Sequence, residues 1–171
     1  MREAPRPVEA LLDRWSRSVA DAHAGLSSLS DARVRVRPAP GKWSVKEIIG
    51  HLIDSATNNH RRFVLAQIED TLAFPGYQQD EWVKRQRYQD SAWPGLATLW
   101  ASYNEHLIHV VRAIPEETLT RARTTHTLDQ IGWRPVARED PATLAYLIED
   151  YVGHLEHHLG QIRRLTAAEY R

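Results

Sequence analysis

The sequence contains no cysteine. That excludes a disulfide framework, a Cys-type zinc site and any nucleophilic thiol of the protein's own, so a thiol taking part in its chemistry has to arrive as substrate. There is also no net charge, since 22 basic and 22 acidic residues cancel. The chain therefore lacks the electrostatic footprint of a nucleic-acid or anionic-membrane binder. The opening MREAPRPVEA has prolines and charges where a signal peptide needs an apolar core. No apolar run approaches membrane-spanning length, and a cytoplasmic protein is expected. Low-complexity stretches are missing too. The 171 residues are expected to fold as a single domain, 1–171, long enough to bury a core without metal or disulfide support.

What is present is helical periodicity. It divides the chain into four long segments near residues 6 to 28, 44 to 69, 95 to 113 and 141 to 168. The fold class this predicts is all-α, a four-helix bundle with long interhelical connections. The second helix has a sharp start, because Ser44 can cap it, Glu47 can close a capping box, and Trp43 can pack on Ile48. For the fourth, Asp140 is a suitable cap and Pro141 suits the first helical position. The connections, roughly 29 to 43, 70 to 94 and 114 to 140, are long for a bundle with tight turns. In the first of them, Arg33 to Arg37 alternates like a short strand or an extended basic edge. In the second, the aromatic stretch from Phe74 to Trp82 can form a lid over a pocket or pack as an ordinary loop.

Nine histidines are unusual, and three of them crowd into Tyr151 to Ile162. At about 100° per residue, Leu144, Ile148, Tyr151, Leu155, Leu159 and Ile162 define one apolar arc, with His154 and His158 at its edge. His157 points well off that arc and is excluded as a ligand. Imidazoles four residues apart share a helix face and can meet one metal ion, although two amphipathic histidines can also simply line a core edge. A third ligand would decide between these, and His51 is the candidate. Its apolar arc centres on Ile49, Leu52, Ala56 and Phe63, while His51, Asp54, Ser55, Asn58 and Arg62 form a polar stripe beside it. Such a stripe is either a solvated face or a line of ligand, hydrogen-bonding and anion-binding groups.

Gly41-Lys42-Trp43-Ser44-Val45, His51-Leu52 with Asp54-Ser55, Asn58 with Arg62-Phe63, and Tyr151-Val152 with His154, His157 and His158 resemble the DinB/YfiT-like metalloproteins, most closely the YfiT branch. The resemblance spans about residues 37 to 165 and is weak in the first helix. It implies a four-helix bundle with a three-histidine metal site, one ligand from the second helix and two from the last: His51, His154 and His158. Where relatives often carry further histidine near the last-helix motif, this chain has Glu156 and Gln161. His23, His60, His106 and His109 are expected at the surface or in packing, and His126 at a pocket wall.

Three neutral imidazoles leave a divalent ion with open positions, the arrangement of a catalytic site. Zinc or nickel is expected, with manganese and iron as alternatives. Asp54 and Asp150 are candidates to orient the imidazoles, and Ser55, Asn58, Arg62 and Gln161 to do the same or to hold substrate. Two reactions fit. A bound water deprotonated near neutral pH would make a hydrolase. A bound thiol would become a thiolate, and the resemblance implies transfer of a bacillithiol- or mycothiol-type small thiol to an electrophilic substrate, with Arg62 and Asn58 on its carboxylate. A third class is a non-catalytic metal-binding stress or interaction protein. The resemblance allows a homodimer, to whose interface Trp100, Tyr103 and His157 can contribute, although aromatic residues on helices are more often simply core.

Overall fold

The computed structural model describes residues 6–167. In chain order its elements are α1 (Pro7–Ser27), α2 (Asp31–Val34), α3 (Val45–Leu65), α4 (Gln79–Gln86), a 3-10 turn (Tyr88–Asp90), α5 (Trp93–Arg112), α6 (Glu116–Thr120), α7 (Leu128–Ile131) and α8 (Leu144–Ala167). The four long helices form the bundle. Among the described residues there is no strand, only isolated bridges between Leu72 and His126 and between Arg123 and Ala142. Nor is any described helix long and apolar enough to cross a membrane.

Helix starts follow local chemistry. Pro7 opens α1 and Pro94 sits in the first turn of α5, positions where a missing N–H costs nothing. The capping box on α3 is complete: the Ser44 hydroxyl accepts from the Glu47 amide, and the Glu47 carboxylate accepts from the Ser44 amide at 2.9 Å. The start of α8 differs from the sequence expectation. Ala142 is drawn into its bridge with Arg123, and the hydroxyl of Thr143, not Asp140, accepts from the Tyr146 amide at 3.1 Å. The helix therefore begins at Leu144, past Pro141. The alternating Arg33–Arg37 segment is no strand either. Ser30 caps the one-turn α2, Val34 is fully buried, and Val36 is 59% exposed, so the alternation serves no second apolar face.

α1 packs on α5 and α8, and α3 packs on the same two. Helices consecutive among the long four, α1 with α3 and α5 with α8, thus stand diagonally across the bundle. Crossing a diagonal requires length, which accounts for the first and third long connections; the second joins the neighbours α3 and α5 and spends its length on α4 and the 3-10 turn. At the centre, Asn104 of α5 accepts from Trp15 Nε1 of α1 (3.1 Å) and the Tyr151 hydroxyl of α8 (2.7 Å), and donates to the Trp100 carbonyl (2.8 Å). This satisfied network keys three helices together. Trp100 is completely buried there, so it cannot belong to a surface interface.

The connections are built, not slack. Across the second and third of them the Leu72 amide donates to the Thr125 carbonyl, the Leu72 carbonyl accepts from the Thr127 amide, and the Thr127 hydroxyl accepts from the Phe74 amide. The α4 and 3-10 segment lies over α3, and every residue from Ser44 to Ala56 is buried as a result. Gly50 makes this possible, since a Cβ there would sit 2.1 Å from the Tyr88 ring.

Candidate metal centre

α3 and α8 are neighbours, and their histidines meet at the seam. On α8, the one-turn spacing of His154 and His158 brings their ring centroids to 4.6 Å. From α3, the His51 ring lies 4.9 Å from that of His158 and 5.2 Å from that of His154. One ring nitrogen from each falls within 4.8 Å of the others. The Nε2 atoms of His51 and His154 are 3.2 Å apart. Two nitrogens bound at about 2.0–2.1 Å to a tetrahedral zinc would be about 3.3 Å apart, so this pair suits a shared ion.

Protonation suits it as well. Burial, and secondarily a charge on His158, pushes His51 down to about 3. Burial together with the neighbouring histidines does the same to His154. His158 is also lowered by burial, against the hydrogen bond from its Nδ1 to Gln161 Oε1 at 3.0 Å. All three imidazoles are therefore neutral near pH 7, the form that binds metal. A carbonyl oxygen can only accept, so Gln161 fixes the proton of His158 on Nδ1 and leaves the Nε2 lone pair free for a metal. Ser55 Oγ lies 3.5 Å from His154 Nδ1. His51 rests against the Trp43 ring at 4.9 Å, and its buried Nδ1 has no partner among the described residues. His51 is 1% exposed and does not lie on a solvated face: Trp43, His154 and His158 enclose it, while the α4 segment covers Asp54, and of the polar stripe only Asn58 stays half-exposed.

Neither candidate carboxylate bonds a histidine. Asp54 Oδ1 accepts from the Tyr88 hydroxyl (2.6 Å) and the Gln86 side chain, tying the covering segment down. Asp150 accepts from the backbone amides of Trp133 and Arg134, both at 2.8 Å. Its task is to hold that loop as a wall. Gly153 gives the loop room, since a Cβ there would be 3.0 Å from Trp133.

Beside His51 and His154 lies a cavity of about 250 Å³, lined also by Ser55, Asn59, Arg62, Tyr77, Trp133 and Asp150. Arg62 is 6% exposed and donates to Asn59 Oδ1 (3.3 Å) and the Pro75 carbonyl (3.2 Å). Burial lowers its pKa, and Tyr77 and then Asp150 only partly counter this. Burial likewise pushes the Tyr77 phenol up to about 12, keeping it protonated. Asn58 does not join this cavity: it donates to the Asp54 carbonyl and faces the other side of α3, while Asn59 takes its place beside Arg62. Sequence reasoning missed Asn59, one helical step away, and Trp133, which no periodicity marks.

The remaining histidines do not join the group, although the His157 ring lies 5.3 Å from that of His158. His157 is exposed beside Trp133. His60 contacts Tyr103 (Nδ1 to hydroxyl, 2.9 Å) and His106, on the face shared with α5. His126 is structural and lines no wall of this cavity: Nδ1 accepts from the Leu128 amide and Nε2 donates to the Asp140 carbonyl.

Residues 14–162 match the sequence pattern of the DinB superfamily. The chain belongs to the DinB superfamily. Within it, the chain is 22% identical over 158 residues to YfiT of Bacillus subtilis, covering 90% of this chain and 83% of that one. It is 28% identical over 160 residues to a Bacillus pumilus protein, covering 92% and 84%. Both relatives carry a provisional designation as metal-dependent hydrolases. Among solved structures, B. subtilis YfiT superposes with a TM-score of 0.72 at 21% identity, over 98% of this chain and 91% of YfiT, and is described as a four-helix bundle of unusual topology. The mycothiol-dependent maleylpyruvate isomerase superposes with a TM-score of 0.63 at 16% identity, over 96% and 69%. This DinB-superfamily bundle thus belongs to a family of metal-dependent enzymes and carries a three-histidine group able to hold a metal ion.

Proposed function

We propose that this chain is a metal-dependent S-transferase, which holds one divalent ion, zinc or nickel, on His51, His154 and His158 and joins a low-molecular-weight thiol of bacillithiol or mycothiol type to an electrophile. The observation that carries this reading is the convergence of three neutral imidazoles beside a cavity that also holds a buried cation, Arg62. A divalent ion in that place lowers the pKa of a thiol or water that it binds.

The chain's own residues supply the rest. Arg62, with its neighbour Asn59, offers planar donors to a carboxylate, a pairing that is strong because it is charged and shielded from water. The protonated Tyr77 can donate to an oxygen of the electrophile. Asp150 keeps the Trp133 loop closed over the reacting groups, and Gln161 holds the His158 ring in orientation. In the reaction the thiol proton leaves to solvent, the sulfur–carbon bond forms, and the leaving group departs with its electron pair.

The mycothiol dependence of a structural neighbour favours a thiol, whereas the designations of the sequence relatives favour hydrolysis by water. One experiment separates them: the metal-replete protein is assayed with a panel of small thiols and a chromogenic electrophile, beside an ester panel. The expected result is turnover that requires thiol and disappears in His51→Ala. Ester cleavage without thiol would replace this reading with the hydrolase, and metal binding with neither activity would leave a non-catalytic metal-binding protein.

A further inference from the structure

The 250 Å³ cavity beside the histidines falls short of the roughly 300–1,000 Å³ that encloses a drug-sized ligand, so only the reacting head of a larger substrate fits inside. Beyond Gly76 and Tyr77, which wall both spaces, lies an open groove of about 980 Å³ between the outer side of α3 and α4. Gly76 puts no side chain on the divide, and its backbone does not demand glycine, because φ is not positive and a Cβ would make only ordinary contact with Ile131 at 3.7 Å.

Three features of the groove bear on its occupant. Trp82 is 39% exposed and sits with its ring 5.1 Å from that of Tyr77, giving a half-open aromatic platform. Asn58 and Gln86 line it with carboxamide side chains. Arg61 is an exposed cation with no hydrogen bond or ion pair among the described residues, whereas Arg85 is neutralised by Glu81. Aromatic faces with amide donors and acceptors suit a polyhydroxylated ring, and a free guanidinium suits an oxygen-rich terminus.

We propose that this groove is an outer subsite for the sugar-bearing tail of the thiol, stacked on Trp82 and reaching Arg61, while the sulfur end enters the histidine cavity past Gly76. The assignment rests on the S-transfer reading for the identity of its ligand, and its test uses ligands that cannot react.

S-methylated mycothiol, S-methylated bacillithiol and S-methylcysteine are titrated calorimetrically into metal-loaded wild type, Trp82→Ala and Arg61→Ala, with metal content and circular dichroism as checks of folding. At least one sugar-bearing conjugate is expected to bind wild type tenfold or more tightly than S-methylcysteine, and to lose most of that advantage in both variants. The subsite is overturned if neither conjugate outbinds S-methylcysteine, or if the advantage survives both substitutions. Thiol transfer measured on the same samples keeps the two ideas apart. Trp82-dependent binding without transfer would remove the reaction and leave the subsite, and transfer indifferent to Trp82 would do the reverse.

Discussion

Helix α3 touches two groups of histidines, and they differ in burial and in the freedom of their ring nitrogens. His51 meets His154 and His158 at a buried seam, where two Nε2 atoms face each other 3.2 Å apart and burial keeps the rings neutral. Nine residues on, His60 meets His106 and, through it, His109, but its Nδ1 is taken by the Tyr103 hydroxyl and its neighbours are exposed. Ring proximity is similar, at 5.1 Å between His60 and His106. Convergence of free lone pairs in a dry site, not abundance of imidazole, separates the two groups.

The largest effects should come from breaking the buried group. His51→Ala, His154→Ala and His158→Ala are each expected to lower metal affinity more than about 100-fold, since even outer partners of ligands cost 10–100-fold. Metal analysis after dialysis checks this, and stoichiometric retention in all three would refute the site. Next comes Gln161→Ala, which frees the His158 ring and should cost about 10-fold in affinity with the fold intact.

A smaller effect concerns acid. In the metal-free protein, His51 and His154 are held to about 3 when folded but return to about 6.5 when unfolded. Below pH 6.5 the unfolded chain takes up protons that the folded chain refuses, so stability should fall progressively from pH 6.5 towards 3. Thermal unfolding across that range tests it, and His51→Leu should flatten the decline. The smallest effect belongs to the exposed group: His60→Ala and His106→Ala should leave metal content unchanged and stability within about 0.5 kcal/mol.

The same contrast explains what could be read from the sequence. The four helices were legible because their periodicity is carried by residues that do enter the core, and the α3 start because Ser44 and Glu47 complete a local motif. His154 and His158 were legible from spacing on a helix with one buried face. His51 was not, because phase separates a wet face from a dry one only when one side of the helix meets water. Between Ser44 and Ala56, α3 is buried all round by a connection whose path no local pattern foretells. Asp54 and Asp150 bond no histidine for a related reason. Each is close in sequence to a histidine, yet each serves a distant backbone or side-chain donor. The α8 start slid past Pro141 because the bridge from Arg123 competes for Ala142. Asn58 and Asn59 differ by one step of about 100°, and that step decides which side of α3 each amide faces.

The distance along the chain between His51 and His154, 103 residues, has a consequence for how the proposed site would acquire an ion. A nascent chain that has emerged as far as α5 presents only one of the three imidazoles of the proposed site. Joining the two ends of so long a loop also carries an entropic cost that an ion gripping one side chain does not offset. For the proposed site, selection of a metal would therefore fall to the finished bundle, after α8 has docked on α3.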